Sequence, residues 1–212
     1  MIHEIYSYAD ANEFWKDIKK CGFRAIAIRD MSYDETAMRN APIDAICWVY
    51  ENVLMSDKVK YKGIPFKEIT ESFEDAWGKI CDPESKKIDG KNLFHFLIKY
   101  RYQENWSREV EENYLPISKE RLASILASIG YSFKHKESSK LEFYGKCWKK
   151  DFKLDIPDNN GYRKQFYAWL LTLDTHIKWF LEKTYGSKES LNEDIQNSNL
   201  NAAINDVLSA YK

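Results

Sequence analysis

Three acids, Asp30, Asp34 and Glu35, follow a short apolar run in the stretch "FRAIAIRDMSYDET". Carboxylates that meet at the end of a strand are one way for a nuclease to hold a catalytic metal ion. Such a site usually also needs a positioned lysine and a further carboxylate. Acids that complement the dipole of a helix N-terminus account for the same residues more simply. The four histidines, His3, His95, His135 and His176, lie one per predicted element, and none has the H-E-x-x-H spacing of zinc hydrolases. His176 reads as a packing residue on a helix. There is no G-x-x-x-x-G-K-[ST] phosphate loop, no G-x-G-x-x-G turn and no G-x-S-x-G elbow. No cofactor and no metal are expected, and the chain leans toward a non-catalytic role. An enzyme whose site is assembled from distant residues stays as a third reading.

The cations are more suggestive. Residues 118–153 carry nine lysines and arginines against four carboxylates, a local excess of +5 in a chain whose formal net charge is −1. The segment "YSFKHKESSKLEFYGKCWKK", residues 131–150, alternates apolar and polar residues, turns at a serine pair and returns rich in lysine. It predicts a β-hairpin in which Lys134 and Lys136 share one strand face and His135 points the other way. Lys146, Lys149 and Lys150 extend the basic region along the return. Lysines on such a ribbon would meet phosphates, and each contact would steepen the salt dependence of binding.

Elements must hold these groups. Asp10 and Glu13 form a capping-box pattern ahead of Phe14, Ile18 and Cys21, and Gly22 can end that helix in the left-handed conformation. "FRAIAIR", residues 23–29, reads as a strand, and the N-terminal "HEIYSY" could pair with it. Pro42 opens a helix with Ile43, Ile46, Cys47, Tyr50 and Val53 on one face, and a third carries Ile69, Phe73, Ala76 and Ile80. "CDPESKKIDGK", residues 81–91, is turn-rich and predicts a linker. Beyond it come a helix with Leu93, Phe96, Leu97 and Tyr100, a short acidic helix at 107–113, and a Ser118-capped helix closed by Gly130. That last helix carries Leu122, Ile125, Leu126 and Ile129. Phe166, Leu170, Leu173, Ile177 and Phe180 predict one long helix over 162–185. A polar stretch then precedes a final helix with Leu200, Ile204, Val207 and Tyr211.

Residues 91–150 thus run helix, short helix, helix, hairpin, the order of a winged helix-turn-helix. The pattern "PISKERLASILASIGYSFKHKESSKLEFYGKCWKK" resembles the winged segments that close phage- and poxvirus-type replicative primase–helicases. Ser118, Gly130-Tyr131 and Phe143-Tyr144-Gly145 occupy the matching places. The resemblance covers under a third of the chain. It implies duplex binding or docking, with Lys119 and Arg121 on the third helix. Helicase activity is not implied, because no nucleotide-binding motif accompanies it. The outward face of that helix holds Ala123, Ser124, Ala127 and Ser128, with Lys119 the only exposed long cation besides Arg121, which gives little means of reading base edges.

The remaining totals bound the class. The chain has 212 residues, 15% of them aromatic, with seven Trp and fourteen Tyr. Cys21, Cys47, Cys81 and Cys147 are too far apart for a disulfide framework or a zinc ribbon, and read as buried free thiols of a reducing cytoplasm. No signal peptide and no run of about 18 apolar residues is present, so no membrane association is expected. The expected fold is a predominantly helical α+β protein. Its parts are an N-terminal strand–helix subdomain (1–81), a linker (82–91), a winged-helix-like centre (92–156) and a C-terminal pair of helices (157–212), or all of these in one compact domain. The leading reading is a nucleic-acid-associated protein, with Lys119, Arg121, Lys134, Lys136, Lys146, Lys149 and Lys150 on phosphate and Tyr131 and Tyr144 flanking the wing. The alternative is a protein-binding inhibitor, immunity protein or adaptor of bacterial or phage origin. Trp106, Trp148 and Trp169 would be its exposed anchors.

Overall fold

The computed structural model describes residues 2–173 and 175–185. The chain is a mixed α and β protein in which helices predominate. Two apolar cores organise it. The larger is built by helices from the middle of the chain: α4 (Ile43–Val49, continued by a π turn at Tyr50–Leu54), α5 (Phe66–Trp77), α6 (Gly90–Lys99), α9 (Glu142–Asp151) and α10 (Tyr162–Leu170). Phe66, Phe73, Phe96, Tyr100 and Phe152 meet at its centre with ring separations of 5.0–6.5 Å, so much of the aromatic surplus is core. The smaller core lies under a three-stranded antiparallel sheet. Helices α1 (Ile2–Tyr8), α2 (Ala11–Cys21) and α8 (Lys119–Ser128) contribute Ile2, Trp15, Leu122 and Leu126 to it.

The sheet runs β1 (Ala25–Met31), β7 (His176–Lys183), β6 (Tyr131–Ser139), with the last strand in sequence in the middle. Its buried face carries Ile28, Ile177, Trp179, Leu181 and Tyr131. The remaining elements are short: α3 (Glu35–Arg39), α7 (Trp106–Glu109), and the hairpins β2 (Lys60–Tyr61) with β3 (Ile64–Pro65) and β4 (Cys81–Asp82) with β5 (Lys87–Ile88).

Local signals governed the helix ends. Asp10 Oδ1 accepts from the N–H groups of Asn12 and Glu13, Gly22 sits at φ 62° as the C-cap, and Ser118 accepts from the Arg121 N–H. Four expectations fail, each for a readable reason. "HEIYSY" lies in helix α1, tied to β1 by His3 on the Asp30 carboxylate, and the strand that pairs with β1 is β7. The turn-rich 81–91 segment is the β4–β5 hairpin, pinned by buried Ile80 and Cys81. The long helix stops at Leu170, and the chain re-enters as β7, where Ile177, Trp179 and Leu181 alternate inward against Lys178, Phe180 and Glu182. The basic hairpin does not form: its first half is β6, but its second half is helix α9, with Tyr144, Gly145, Trp148 and Phe152 facing the larger core. The final helix expected around Leu200–Tyr211 lies outside the described residues. Among the described residues no helix is long and apolar enough to cross a membrane.

Candidate nucleic-acid interface

The predicted cations fall into three separate places. Lys119 is nearly buried at the start of α8, 3.3 Å from an Asp34 carboxylate oxygen, with its N–H donated to the Tyr33 carbonyl. The Ser118 hydroxyl donates to Glu35 at 2.7 Å. The end of α8 that a recognition helix would present to a groove is therefore held against the start of α3. Arg121, two residues further along α8, is exposed.

Lys134 and Lys136 do not share a face. The register slips between Phe133 and His135, which makes Lys134 the extra residue of a β-bulge. Lys134 meets Glu182 at 3.5 Å on the outer face of the sheet, where His135 and Glu137 also lie. Lys136 stands opposite Trp179, its ammonium 5.0 and 5.3 Å from the ring centres of Phe133 and Trp179. Tyr131 is buried and donates its hydroxyl to the Phe23 carbonyl at 2.6 Å, so it flanks no wing.

Only the third group gathers. Lys146, Lys149 and Lys150 project from the solvent side of α9, and Lys153 follows one turn later. The amphipathic pattern that buries Trp148 and Phe152 obliges this: residues at i, i+3, i+4 and i+7 share one face, and here that face is lysine. These four lysines, with Asp155, Ile156 and Tyr167, line an open depression of about 580 Å³. A second depression of about 320 Å³ shares Lys150 and Lys153, and adds Lys60, Tyr61 and Lys62 from the β2–β3 hairpin and Arg101 from the end of α6. The two make one basic surface with two carboxylates on it, and Asp151 already accepts the Tyr100 hydroxyl at 2.7 Å. None of the four α9-side lysines is ion-paired among the described residues.

The backbone at this surface is unusual in one respect. Lys153 holds φ 55° and Lys62 φ 50°. Lys153 stands at the position after the cap of α9, with its N–H on the Lys150 carbonyl and the Leu154 N–H on the Lys149 carbonyl. That is a Schellman ending, in which glycine is usual and a lysine carries left-handed strain. Lys62 precedes Gly63 at φ 89° in a two-residue hairpin turn that ordinarily takes Asn-Gly or Asp-Gly. The third such residue, Lys86, is ion-paired with Asp44 at 2.7 Å.

Aromatic rings border the cations. The Arg101 guanidinium lies 5.5 Å from the ring centres of both Tyr61 and Phe143, donates to the Tyr61 hydroxyl, and touches the Cys147 sulfur. Phe143 is 64% exposed. The Tyr102 and Tyr144 hydroxyls are 3.3 Å apart, and Lys149 stands 6.0 Å from the Tyr167 ring centre.

The tryptophans proposed as exposed anchors are packing residues. Trp148 is 1% exposed and donates its indole N–H to the Leu97 carbonyl, and Trp169 is 7% exposed and donates to the Ala37 carbonyl. Trp106 is half-buried against Phe73 and Trp77. Their polar neighbours in the sequence reflect helix periodicity, in which one buried position has exposed residues on either side.

The acids that could have held a metal are each engaged. His3 contacts Asp30 at 2.5 Å, and burial that would raise the Asp30 carboxyl is outweighed by hydrogen bonds from His3 and the Met31 N–H, so its pKa lies below the usual range. Asp34 caps α3 through the Ala37 N–H, which together with Lys119 holds its pKa down. Among the described residues no group of three or more metal-ligating side chains is assembled.

Sequence reading missed Lys60, Lys62, Arg101, Tyr61, Phe143 and Tyr167. The hairpin and the end of α6 reach α9 only through the tertiary fold. The helical spacing of Lys146, Lys149, Lys150 and Lys153 was the one signal that could have found the surface. No protein family, curated protein or solved structure matches the chain.

Proposed function

We propose that the protein binds nucleic acid without catalysis, through phosphate contacts made by the lysine face of α9 and completed by the β2–β3 turn and Arg101. One observation carries this reading: unpaired lysines from α9 and from a separate hairpin converge on a continuous open surface with few carboxylates. Ammonium groups left unneutralised at close quarters repel one another, and a polyanion relieves that repulsion while releasing its condensed counterions. The formal charge of −1 for the whole chain means that such attraction is confined to this face. The surface offers lysine and one arginine with no asparagine or glutamine among its lining residues, which suits backbone contact rather than base-edge reading.

The test is fluorescence anisotropy with labelled oligonucleotides across a salt series. Binding at low salt that weakens with salt is expected. Lys149→Glu/Lys150→Glu should lower affinity at least tenfold and reduce the log–log salt slope by roughly two. Lys134→Glu/Lys136→Glu should leave both nearly unchanged, since those lysines lie on the sheet. No binding to any nucleic acid at low salt would end the proposal. The protein-partner alternative drew on Trp106, Trp148 and Trp169, and their packing leaves it without a specific supporting observation.

A further inference from the structure

The phosphate-binding reading leaves the exposed aromatic rings unexplained, and they sit where they bear on what kind of strand is held. Phe143 begins the same helical stripe as Lys146 and Lys150, at spacings of three and seven residues, so ring and ammonium groups follow one another over about 10 Å of helix rise. Phe143 is 64% exposed and meets Tyr144 edge-on with ring centres 5.6 Å apart, and Tyr102, whose hydroxyl lies 3.3 Å from that of Tyr144, is 40% exposed. Leaving a phenylalanine this open forgoes burial that a core position would supply. The Arg101 guanidinium lies over the ring at 5.5 Å from its centre and also contacts Tyr61 and the Cys147 sulfur, so the exposed remainder of Phe143 is what a base would meet.

In a duplex the bases are stacked on one another, and only phosphate, sugar and groove edges meet a protein. A lysine face would serve a duplex, but a bare phenyl ring would meet only charged backbone. An unpaired base has a free π-face, and aromatic side chains alternating with a cationic track are the means by which proteins hold single strands without reading sequence. We propose, building on the phosphate-binding reading, that this surface takes single-stranded nucleic acid, with a base stacked on Phe143 and the adjoining phosphates on Lys146, Lys150 and Arg101.

The test compares an oligo(dT) strand of about 15 nucleotides with its duplex on oligo(dA), at matched salt. The wild-type protein should bind the single strand several-fold tighter than the duplex. Phe143→Ala should weaken single-strand binding by about five- to a hundred-fold, leave duplex binding within twofold, and leave the salt slope unchanged, because no phosphate contact is removed. Phe143→Trp should restore the single-strand affinity. The exposure of Phe143 makes misfolding an improbable confounder, and an unchanged thermal midpoint excludes it. Equal or tighter duplex binding, or a Phe143→Ala variant indistinguishable from wild type, overturns this inference. If Lys149→Glu/Lys150→Glu still weakens binding in that case, the phosphate reading stands alone. Failure of both probes to bind at low salt removes both.

Discussion

At the scale of single residues, Lys153 is the most informative position. Its left-handed φ is set by the two hydrogen bonds that close α9, and an L-residue there is strained where glycine would not be. A residue that weakens the fold slightly while projecting a cation into the basic surface suggests that the charge is what the position retains. Lys153→Gly is expected to raise stability by up to about 1 kcal/mol, relief of strain outweighing the added entropy of unfolded glycine. It should also weaken oligonucleotide binding a few-fold. Urea titration and anisotropy on the same preparation read the two effects, and a variant that is both less stable and equally tight would contradict the assignment. Nothing in the sequence around "KKDFKLD" marks Lys153 as left-handed, because the usual glycine signal is missing.

At the scale of elements, β6 shows how a lysine-rich strand can have a purpose other than binding. It is an outer strand of the sheet, with one row of backbone N–H and C=O groups left without a strand partner among the described residues. A bulge at Lys134 and charged side chains on both faces are standard means of discouraging another strand from adding there. Lys134→Thr/Lys136→Thr is therefore expected to promote concentration-dependent self-association, seen by sedimentation velocity as a shift toward larger species than the wild type forms. Unaltered sedimentation at high concentration would argue against edge protection. The alternation of β6 was legible, and so was its basic character. The partner strand was not, because β7 is more than thirty residues away and was read with a helical period. Phe180 caused that error: an apolar residue on the exposed face, 39% accessible, completed a spurious spacing with Leu173 and Ile177.

For the whole molecule, the two cores respond to acid together through buried ionisable groups. His95 is buried in α6. Burial first, and then the nearby Lys99 and Lys91 charges, push its pKa down to about 3 from an ordinary 6.5. The folded protein thus keeps His95 neutral while the unfolded chain takes up a proton below about pH 6.5. Stability is complete above that pH and falls as pH drops toward 3. Asp30 and Asp34, whose pKa values are depressed in the fold, add losses in the same direction at lower pH. His95→Leu should flatten the slope between pH 6.5 and 4.5 in urea midpoints, and an unchanged slope would show that His95 is not buried neutral.

What the sequence settled by itself was local: the caps at Asp10 and Ser118, the glycine stops at Gly22 and Gly130, the amphipathic faces of α6 and α8, most of those of α2, α4 and α5 (Cys21, Ile43 and Ala76 are exposed), and the mixed α and β class. Each depends on residues within a turn or two of one another, where intrinsic conformational preference and side-chain hydrogen bonds act directly. The middle strand, the conversion of a hairpin return into α9, the burial of Trp148 and Trp169, and the meeting of α9 lysines with Lys60, Lys62 and Arg101 were decided by tertiary packing. Those outcomes turn on which distant apolar faces cover one another, and a charge cluster becomes a surface only after that choice has placed separate elements side by side.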